Sequence, residues 1–321
     1  MLLRVEDLAA TFFLDEGELR AVDGVTFEIG EGETVALVGE SGCGKTIVAL
    51  SILDLVPSPG RIVGGRILFG GRDLHGLKPE ELRRVRGGEI GMVFQEPGSA
   101  LNPVFPVGRQ IAEVLELHRG MTRRDAELEA VRALGGVGIP DPETRAKAYP
   151  FELSGGMRQR AVIAIATCTR PKLLIADEPT TALDVTVQAD ILDLLGDLRE
   201  RYHMATLLIT HDLGVVAETA ERTLVMYTGK LFETGPTDRI FDEPLHPYTT
   251  GLLRAVPRLG SGRGVPLEGI PGAVPDLLRL PSGCTFHPRC ELADEGCTDA
   301  FPPTREMGPG RECACYRATT T

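Results

Sequence analysis

Short apolar runs alternate with stretches of helical spacing from residue 1 to about residue 250. Four runs have the character of buried strands, and each ends at a polar or charged residue: Val35–Val38, Ile90–Phe94, Leu173–Ala176 and Leu207–Ile209. Strands that alternate with helical segments predict an α/β domain with a largely parallel sheet. Open parallel sheets place their chemistry beyond the carboxyl ends of the strands. The residues that follow these four runs are therefore the first candidates for a functional site.

The pattern changes in three places. Between Gln95 and Ser154 the spacing is helical without strand-like runs, which predicts an inserted helical subdomain. The segment from Thr223 to Gly235 predicts two strands around Thr228-Gly229. After about Leu245 the hydrophobic pattern breaks up and prolines become frequent, at positions Pro257, Pro266, Pro271, Pro275 and Pro281.

These changes divide the chain into three predicted parts. The core takes residues 1–95 and 155–245, the helical subdomain takes 96–154, and a C-terminal region takes 246–321. So short a terminal segment has little core of its own, so cysteines are expected to hold it together.

Composition excludes some functions. The 321 residues include 34 basic and 46 acidic side chains, for a net charge of -12. An acidic chain is a poor general nucleic-acid binder, because phosphate neutralisation needs clustered Lys and Arg. No stretch approaches the roughly 20 continuous apolar residues of a membrane-spanning helix, and the N-terminus lacks a signal-peptide layout. We therefore expect a soluble, cytoplasmic chain that reaches a membrane only through partner proteins.

A phosphate-binding loop follows the first buried strand. The pattern GxxxxGK[ST] is matched in order by Gly39, Glu40, Ser41, Gly42, Cys43, Gly44, Lys45 and Thr46. The glycines let the backbone wrap the β- and γ-phosphates, and the helix expected after the loop adds its positive N-terminal end. Lys45 supplies a positive charge to the same phosphates, and the Thr46 hydroxyl is a candidate Mg²⁺ ligand.

Two acids end the strand that begins at Leu173. Asp177 is expected to reach Mg²⁺ through water, and Glu178 is expected to polarise an attacking water. An acid pair after a strand is often only a loop start or a helix cap. The phosphate loop elsewhere in the chain makes the catalytic interpretation the better one here.

A second candidate phosphate site begins at Ser154. Ser154, Gly155 and Gly156 predict a capped helix start that presents a hydroxyl and N–H groups to a phosphate. The run Leu153–Arg160 resembles the LSGGQ signature of ABC ATPases, with Met157 where that pattern most often has Gln. The resemblance implies that two ATP-binding subunits pack head to tail, each signature facing the other's phosphate loop.

Other motifs of that family appear in the expected order. The resemblance makes Gln95 the Q-loop residue that senses Mg²⁺, and His211 the switch histidine that contacts the γ-phosphate and orients Glu178. Thr181-Ala182-Leu183-Asp184 resembles the D-loop, which crosses the dimer interface. Phe12 resembles the aromatic residue that stacks on adenine, although Phe12 or Phe13 could equally be a core residue.

The subfamily is indicated by four further stretches. They are FQEPGSALNP, DEPTTALDVTVQ, HPYTTGLLRAVP and CTFHPRC, and they resemble segments of the ATP-binding subunits of oligopeptide and dipeptide importers. This resemblance implies a second ATPase subunit, either a paralogue or another copy, beneath two transmembrane permease subunits at the cytoplasmic face of the membrane. It also implies an external solute-binding protein, and it makes Pro97–Pro106 the expected docking surface for the permeases. Dipeptides, longer peptides and nickel chelates all remain candidate cargoes.

Seven cysteines are unevenly distributed. Cys43 and Cys168 stand alone, and the other five crowd near the C-terminus: Cys284, Cys290, Cys297, Cys313 and Cys315. Four thiolates can hold an iron–sulfur cluster or a tetrahedral Zn²⁺, and the spacing leaves both open, together with free thiols. The family resemblance implies a structural [4Fe-4S] cluster on Cys284, Cys290, Cys297 and Cys315, with Cys313 as a spare.

Cys43 departs from the family pattern, which usually has Ser at this position of the loop. The position contributes mainly backbone, so activity should survive the difference. A thiol beside phosphates is nevertheless expected to be sensitive to alkylation or oxidation.

Three alternatives to an importer are disfavoured by the sequence. An ABC ATPase that acts on DNA or ribosomes usually carries long coiled-coil insertions or a duplicated core, and neither is present. A redox-sensing protein with the cysteine tail as its active part is disfavoured by the intact catalytic motifs. An exporter is disfavoured because the chain has no fused membrane helices.

Overall fold

The computed structural model describes residues 1–181, 183–256 and 269–319. Ala182 of the predicted D-loop and Pro257 and Pro266 of the proline-rich segment lie outside the described residues. The strands are β1 (Leu3–Leu14), β2 (Gly17–Ile29), β3 (Thr34–Val38), β4 (Gly60–Phe69), β5 (Arg72–Asp73), β6 (Ile90–Val93), β7 (Leu173–Asp177), β8 (Ala205–Ile209), β9 (Arg222–Tyr227), β10 (Lys230–Pro236), β11 (Arg305–Glu306) and β12 (Glu312–Cys313). The α-helices are α1 (Lys45–Ile52), α2 (Pro79–Val85), α3 (Pro97–Ala100), α4 (Val107–Arg119), α5 (Arg123–Gly136), α6 (Pro142–Arg145), α7 (Gly155–Thr167), α8 (Val185–Tyr202), α9 (Leu213–Thr219), α10 (Thr237–Asp242), α11 (Pro247–Arg254) and α12 (Gly296–Asp299).

An eight-stranded sheet forms the centre of the molecule, in the order β11-β12-β10-β9-β3-β8-β7-β6. The five strands β6, β7, β8, β3 and β9 are mutually parallel, and β10 returns antiparallel to β9. All five residues of β3, β7 and β8 are buried, as expected for strands covered on both faces. The four predicted buried strands and the predicted hairpin around Thr228-Gly229 are confirmed.

A second, four-stranded sheet is antiparallel and has the order β2-β1-β4-β5. Buried side chains of β1 and β2, such as Val5 and Val25, join Leu37 of β3 and Val48 of α1 in one hydrophobic cluster. This packing places the inner face of the antiparallel sheet beside the loop that joins β3 to α1.

The helical segment lies between β6 and β7. From Gln95 to Ser154 every residue is described, and the segment contains helices and no strand, as predicted. Ile111 of α4 and Ala130 of α5 pack with Ile163 of α7 and Leu174 of β7 in a second cluster. The helix that Ser154 caps therefore connects the helical segment to the central sheet.

The C-terminal segment is hydrogen-bonded into the same central sheet. Strand β12 pairs antiparallel with β10, with Cys313 opposite Glu233, and β11 pairs with β12. Both strands have two residues, too few for an alternating pattern, so the sequence did not predict them. No helix within the described ranges is long and apolar enough to cross a membrane.

Candidate functional site

The loop between β3 and α1 has backbone angles that only glycine adopts easily. Gly39 and Gly44 have φ values of 153° and 106°. A Cβ atom on Gly39 would lie 2.1 Å from the Met226 carbonyl oxygen, and one on Gly44 would lie 2.2 Å from the Ala21 carbonyl oxygen. Any larger residue at these two positions would collide with fixed backbone, so the glycines are required by the close approach of β9 and β2.

Lys45 extends along the inside of this loop. Its ammonium donates hydrogen bonds to the carbonyl oxygens of Gly39, at 2.8 Å, and Glu40, at 3.0 Å. The side chain is 5% exposed. These contacts hold a positive charge at the centre of the loop, where a phosphate group would be wrapped.

The Cys43 side chain packs into the core beneath the loop, with its Sγ atom 3.7 Å from Lys45 Nζ. It is fully buried, and burial raises the pKa of its thiol, although the Lys45 charge opposes that shift. A buried thiol in its neutral form is a poor nucleophile. The expectation that Cys43 is sensitive to alkylation or oxidation is therefore contradicted, because position 43 contributes only backbone to the loop surface.

Asp177 lies at the carboxyl end of β7 and is 1% exposed. Burial raises the pKa of its carboxyl, and a hydrogen bond with the Thr46 side chain and the Lys45 charge oppose the rise. Its Oδ1 atom has no hydrogen-bond partner among the described residues. A buried carboxylate oxygen without a partner, beside a threonine hydroxyl, is a fitting ligand set for Mg²⁺.

Glu178 is the next residue, and its environment has the opposite effect. Burial alone would raise its pKa, but hydrogen bonds from Thr181 and His211 and the charges nearby outweigh burial, so the pKa is lowered. Thr181 Oγ1 and Gln95 Nε2 donate to Glu178 Oε2 at 2.8 and 3.0 Å, and His211 Nδ1 lies 3.3 Å from Oε1. Glu178 is therefore an ionised carboxylate whose orientation is set by three side chains.

Several of these groups border one cavity of about 360 Å³, which we call the nucleotide cavity. Asp177 and His211 do not line it, but they contact the lining residues Thr46 and Glu178. Its lining includes these predicted site residues: Phe12, Ser41, Gly42, Gly44, Lys45, Thr46, Gln95 and Glu178. Phe12, not the neighbouring Phe13, faces it, because successive side chains of β1 point to opposite faces. Leu277 of the C-terminal segment also lines the cavity, and the sequence offered no sign of this contact.

The predicted signature and D-loop residues do not line the nucleotide cavity of the same chain. Ser154 Oγ accepts a hydrogen bond from Met157 N at 3.3 Å and caps α7. Asp184 caps α8 through a 3.0 Å hydrogen bond from Val187 N. Ser154, Gly155 and Asp184 are exposed, and a Cβ on Gly156 would lie 3.0 Å from Val187, so the two helix starts adjoin on one surface.

The C-terminal cysteines form a second cavity, which we call the cysteine cavity. Its lining contains the four predicted ligands: Cys284, Cys290, Cys297 and Cys315. Burial raises the pKa of Cys284 to about 11, and the neighbouring thiols reinforce the shift. The accessible space is about 10 Å³, so anything larger than a water molecule requires the side chains to move outward.

Two observations limit what the cysteine cavity can hold. Across residues 1–181, 183–256 and 269–319, no three His, Cys, Asp or Glu side chains are placed to hold a single metal ion. Cys313 is buried in β12 opposite Glu233 and does not line the cavity. As it stands, the geometry of the described residues therefore provides no metal-binding group, for zinc or for the predicted iron–sulfur cluster, and the cavity is lined by Cys315 but not by Cys313.

Matches to two family models cover most of the chain. The ABC transporter family matches residues 22–181, and the family described as oligopeptide/dipeptide transporter, C-terminal region, matches residues 232–297. The second match spans α11 and three of the four cysteines that line the cysteine cavity.

Curated relatives align over nearly the whole chain. The oligopeptide transport ATP-binding protein OppD of Salmonella typhimurium is 50% identical over 317 residues, which is 99% of this chain and 94% of the relative. OppD of Escherichia coli is 49% identical over 316 residues, covering 98% and 93% of the two chains.

Solved structures share the fold of about three quarters of the chain. The dimeric post-hydrolysis structure of the ATP-binding cassette MJ0796, bound to ADP and Pi, has a TM-score of 0.66 at 27% identity, covering 74% of this chain and 99% of that one. The cbiO1 protein of Clostridium perfringens, part of the transporter complex cbiONQ, has a TM-score of 0.64 at 26% identity, covering 75% and 91%.

Proposed function

Because the chain belongs to the ABC transporter family of ATP-binding proteins, in its oligopeptide/dipeptide branch, we propose that it hydrolyses ATP to drive the import of peptides or related small solutes. The observation that carries this proposal is the identity of about half of all residues to OppD proteins over nearly the full length. The C-terminal segment is supported by its own match to the oligopeptide/dipeptide transporter C-terminal region over residues 232–297. We further propose the division into a core (1–95 and 155–245), a helical subdomain (96–154) and a C-terminal region (246–321).

The residues of the nucleotide cavity are proposed to act in hydrolysis as follows. Lys45 binds the β- and γ-phosphates, and Phe12 stacks on the adenine. Thr46, Asp177 and Gln95 hold Mg²⁺, which when bound offsets charge on the phosphates. Glu178 accepts a hydrogen bond from the attacking water, because Thr181 and His211 keep its carboxylate ionised, and Thr181 and Gln95 orient it. His211 completes this arrangement from β8.

A second ATP-binding subunit is proposed to complete the site. Ser154, Gly155 and Gly156 are exposed or half-exposed at the start of a 13-residue helix whose N–H groups can face an anion. They lie outside the nucleotide cavity of their own chain, so a phosphate that contacts both must lie between two subunits. The exposed Asp184 adjoins the same helix start. Whether the second subunit is a paralogue or a copy of this chain does not change the geometry.

The proposed contact with the permeases is the loop from Pro97 to Pro106. Val104 and Phe105 in this loop are 68% and 48% exposed, although both are large apolar residues. Gln110 of α4 donates to the carbonyl oxygens of Asn102 and Phe105, at 2.9 Å each, which fixes the loop. A fixed apolar surface beside Gln95 can transmit a change in the nucleotide cavity to a docked helix at the cytoplasmic face of the membrane.

We also propose that the cysteine cavity holds a structural [4Fe-4S] cluster on Cys284, Cys290, Cys297 and Cys315. Four thiols are the usual ligand set of such clusters, and the four side chains converge on one cavity.

The import function is tested with the complex that co-purifies with this chain from membranes. We expect proteoliposomes that contain the complex and a solute-binding protein to take up labelled di- to pentapeptides only with Mg-ATP on the side of this chain. The matched control carries Glu178→Gln, which should abolish uptake while the complex stays assembled. Efflux of peptides, or ATP hydrolysis that peptides and binding protein do not stimulate, would overturn the import assignment without questioning the ATPase.

A further inference from the structure

An arginine of the C-terminal segment is ion-paired with the phosphate-binding loop. Arg289 Nη1 donates to Glu40 Oε2 at 2.7 Å, and Nη2 donates to Glu40 Oε1 at 3.0 Å. The Arg289 side chain is 4% exposed and that of Glu40 is 28% exposed. A bidentate guanidinium–carboxylate pair constrains both direction and distance, so this contact fixes the Glu40 side chain.

The backbone of Glu40 is also held at both ends. Its N–H donates to the Tyr248 hydroxyl at 2.8 Å, and its carbonyl oxygen accepts from Lys45 Nζ at 3.0 Å. Tyr248 is fully buried in α11. Two of the three anchors of Glu40 thus come from residues beyond position 245, which lie outside the ATP-binding motifs.

Arg289 is itself held in place by its surroundings. Its Nε donates to the Pro271 carbonyl oxygen at 2.8 Å, and Nη1 also donates to the Tyr227 hydroxyl at 3.1 Å. The guanidinium lies within 6 Å of the ring centres of Tyr227, at 5.8 Å, and Phe286, at 5.9 Å. The arginine is therefore a fixed part of the structure to which the loop is attached, and it does not follow the loop as a flexible surface side chain would.

The position of Glu40 makes its charge important for nucleotide binding. It lies between Gly39 and Ser41, in a loop shaped to wrap phosphates, and yet it carries a carboxylate of the same sign as the triphosphate. Its side chain is directed to Arg289 and is not part of the lining of the nucleotide cavity. An unpaired carboxylate at this place would repel the nucleotide, and the repulsion would grow with the number of phosphates.

We propose that Arg289 is a positioning residue for ATP. It turns the Glu40 carboxylate away from the nucleotide cavity and cancels its charge, so that the cysteine-rich segment completes the phosphate-binding loop of the same chain. This role concerns nucleotide binding and goes beyond the proposed transport of peptides.

The test compares Arg289→Met, Glu40→Gln and the double variant in the purified full chain, by titration calorimetry with Mg-ATP and Mg-ADP. We expect R289M to weaken ATP binding about tenfold and ADP binding less, because ATP carries the extra charge. E40Q should bind ATP at least as tightly as the unaltered chain. The double variant should regain most of the affinity, because it no longer has the carboxylate that repels.

Two results would overturn the proposal. One is a folded R289M chain that binds ATP as tightly as the unaltered chain. The other is an equal loss for ATP and ADP that E40Q does not restore, which is the outcome of a merely structural role. If R289M fails to fold in a thermal unfolding control, the proposal is tested instead with E40Q and with Arg289→Lys, which keeps the positive charge. A loss of ATP affinity above about tenfold in E40Q would then contradict the charge argument.

Discussion

The nucleotide cavity and the cysteine cavity both collect groups that burial makes reluctant to ionise, but they differ in what surrounds those groups. Asp177 lies close enough to Lys45 for the ammonium to oppose the rise in its pKa. Around Cys284 the charged neighbours are the thiols of Cys290, Cys297 and Cys315, which raise its pKa further. The nucleotide cavity thus has a lysine that opposes the rise in the pKa of Asp177, whereas the charged neighbours that most affect Cys284 are other thiols. Arg317 also lines the cysteine cavity, and the proposed cluster would supply further positive charge there.

This difference has a structural origin. The nucleotide cavity is built at the carboxyl ends of parallel strands, where β3, β7 and β8 bring a lysine, two acids and a histidine to one edge. The residues that line the cysteine cavity lie in short helices and in the segments between them, and none of them belongs to a strand. A rigid sheet can hold opposite charges at a fixed distance. Short turns are less rigid, and a bound ligand can stabilise their conformation.

The largest expected effect concerns the nucleotide cavity, where the charged groups belong to the protein itself. Glu178→Gln keeps the shape of the side chain and its contact with Thr181, but removes the negative charge that accepts a proton from water. We expect ATP hydrolysis to fall about a hundredfold or more, with ATP binding retained. Steady-state hydrolysis and equilibrium binding of Mg-ATP measure the two quantities.

The matched control for that experiment is Glu127→Gln on α5, which removes an exposed ion pair with Arg123 far from the cavity. It should change hydrolysis by less than about twofold, since exposed ion pairs contribute little. Hydrolysis by E178Q at the rate of E127Q would remove Glu178 from its proposed role.

The next effect tests whether the cysteine cavity needs an external cation. Cys315→Ser should cut the iron bound after anaerobic reconstitution from about four atoms per chain to about one or fewer, because one of four ligands is lost. Cys313→Ser is the matched variant and should keep the iron, since Cys313 is buried in β12 away from the cavity. Iron content and visible absorbance are the measurements. Equal iron in both variants would refute the proposed ligand set.

A third, smaller effect concerns His246, a buried histidine in the C-terminal segment whose pKa is lowered by burial. Burial lowers the pKa of His246 to about 3, while its Nδ1 accepts a hydrogen bond from Tyr248 N at 3.0 Å. The unfolded chain takes up a proton below about pH 6.5 and the folded chain does not, so the stability gained from neutral His246 is lost as the pH falls from 6.5 toward 3. Between pH 7 and pH 5 this amounts to about 2 kcal/mol.

His246→Asn should remove that part of the pH dependence, because asparagine can still cap α11 but does not titrate. Urea unfolding at the two pH values measures it. His203→Asn, at an exposed helix end, is the matched control and should retain the loss seen in the unaltered chain. An unchanged loss in H246N would show that other groups cause the acid sensitivity.

The smallest effect returns to the nucleotide cavity. Cys43→Ser should change ATP turnover by less than about twofold, because the side chain is buried in the core and is the size of the serine that replaces it. Maleimide should likewise leave the turnover of the unaltered, folded chain intact. Rapid inactivation that C43S prevents would mean that the thiol becomes accessible during turnover.

Much of the nucleotide cavity could be predicted, because its residues belong to short contiguous motifs at the ends of predicted strands. The strand before Gly39, the acids after β7 and the histidine after β8 each lie at a strand end, so the parallel sheet alone brings them together. Thr181 belongs to a motif that was recognised, but its bond to Glu178 depends on the turn geometry of the loop.

The contacts of the C-terminal segment could not be predicted in the same way. Arg289 and Glu40 are 249 positions apart, and neither belongs to a motif that pairs them. Leu277 is a single leucine in a proline-rich stretch, so nothing in its neighbourhood indicates a contact with the nucleotide cavity. Cysteine spacing left the fourth ligand open, since turns impose no fixed separation between thiols.

The pairing of β12 with β10 has a consequence for the solubility of shortened chains. β12 covers the edge of β10 at Glu233 and Thr234, and β11 closes the sheet with the charged pair Arg305 and Glu306. Short, charged outer strands discourage pairing between molecules. A chain that lacks residues 305–319 would leave backbone N–H and C=O groups of β10 unpaired, so we expect it to form aggregates even where its ATP-binding motifs are intact.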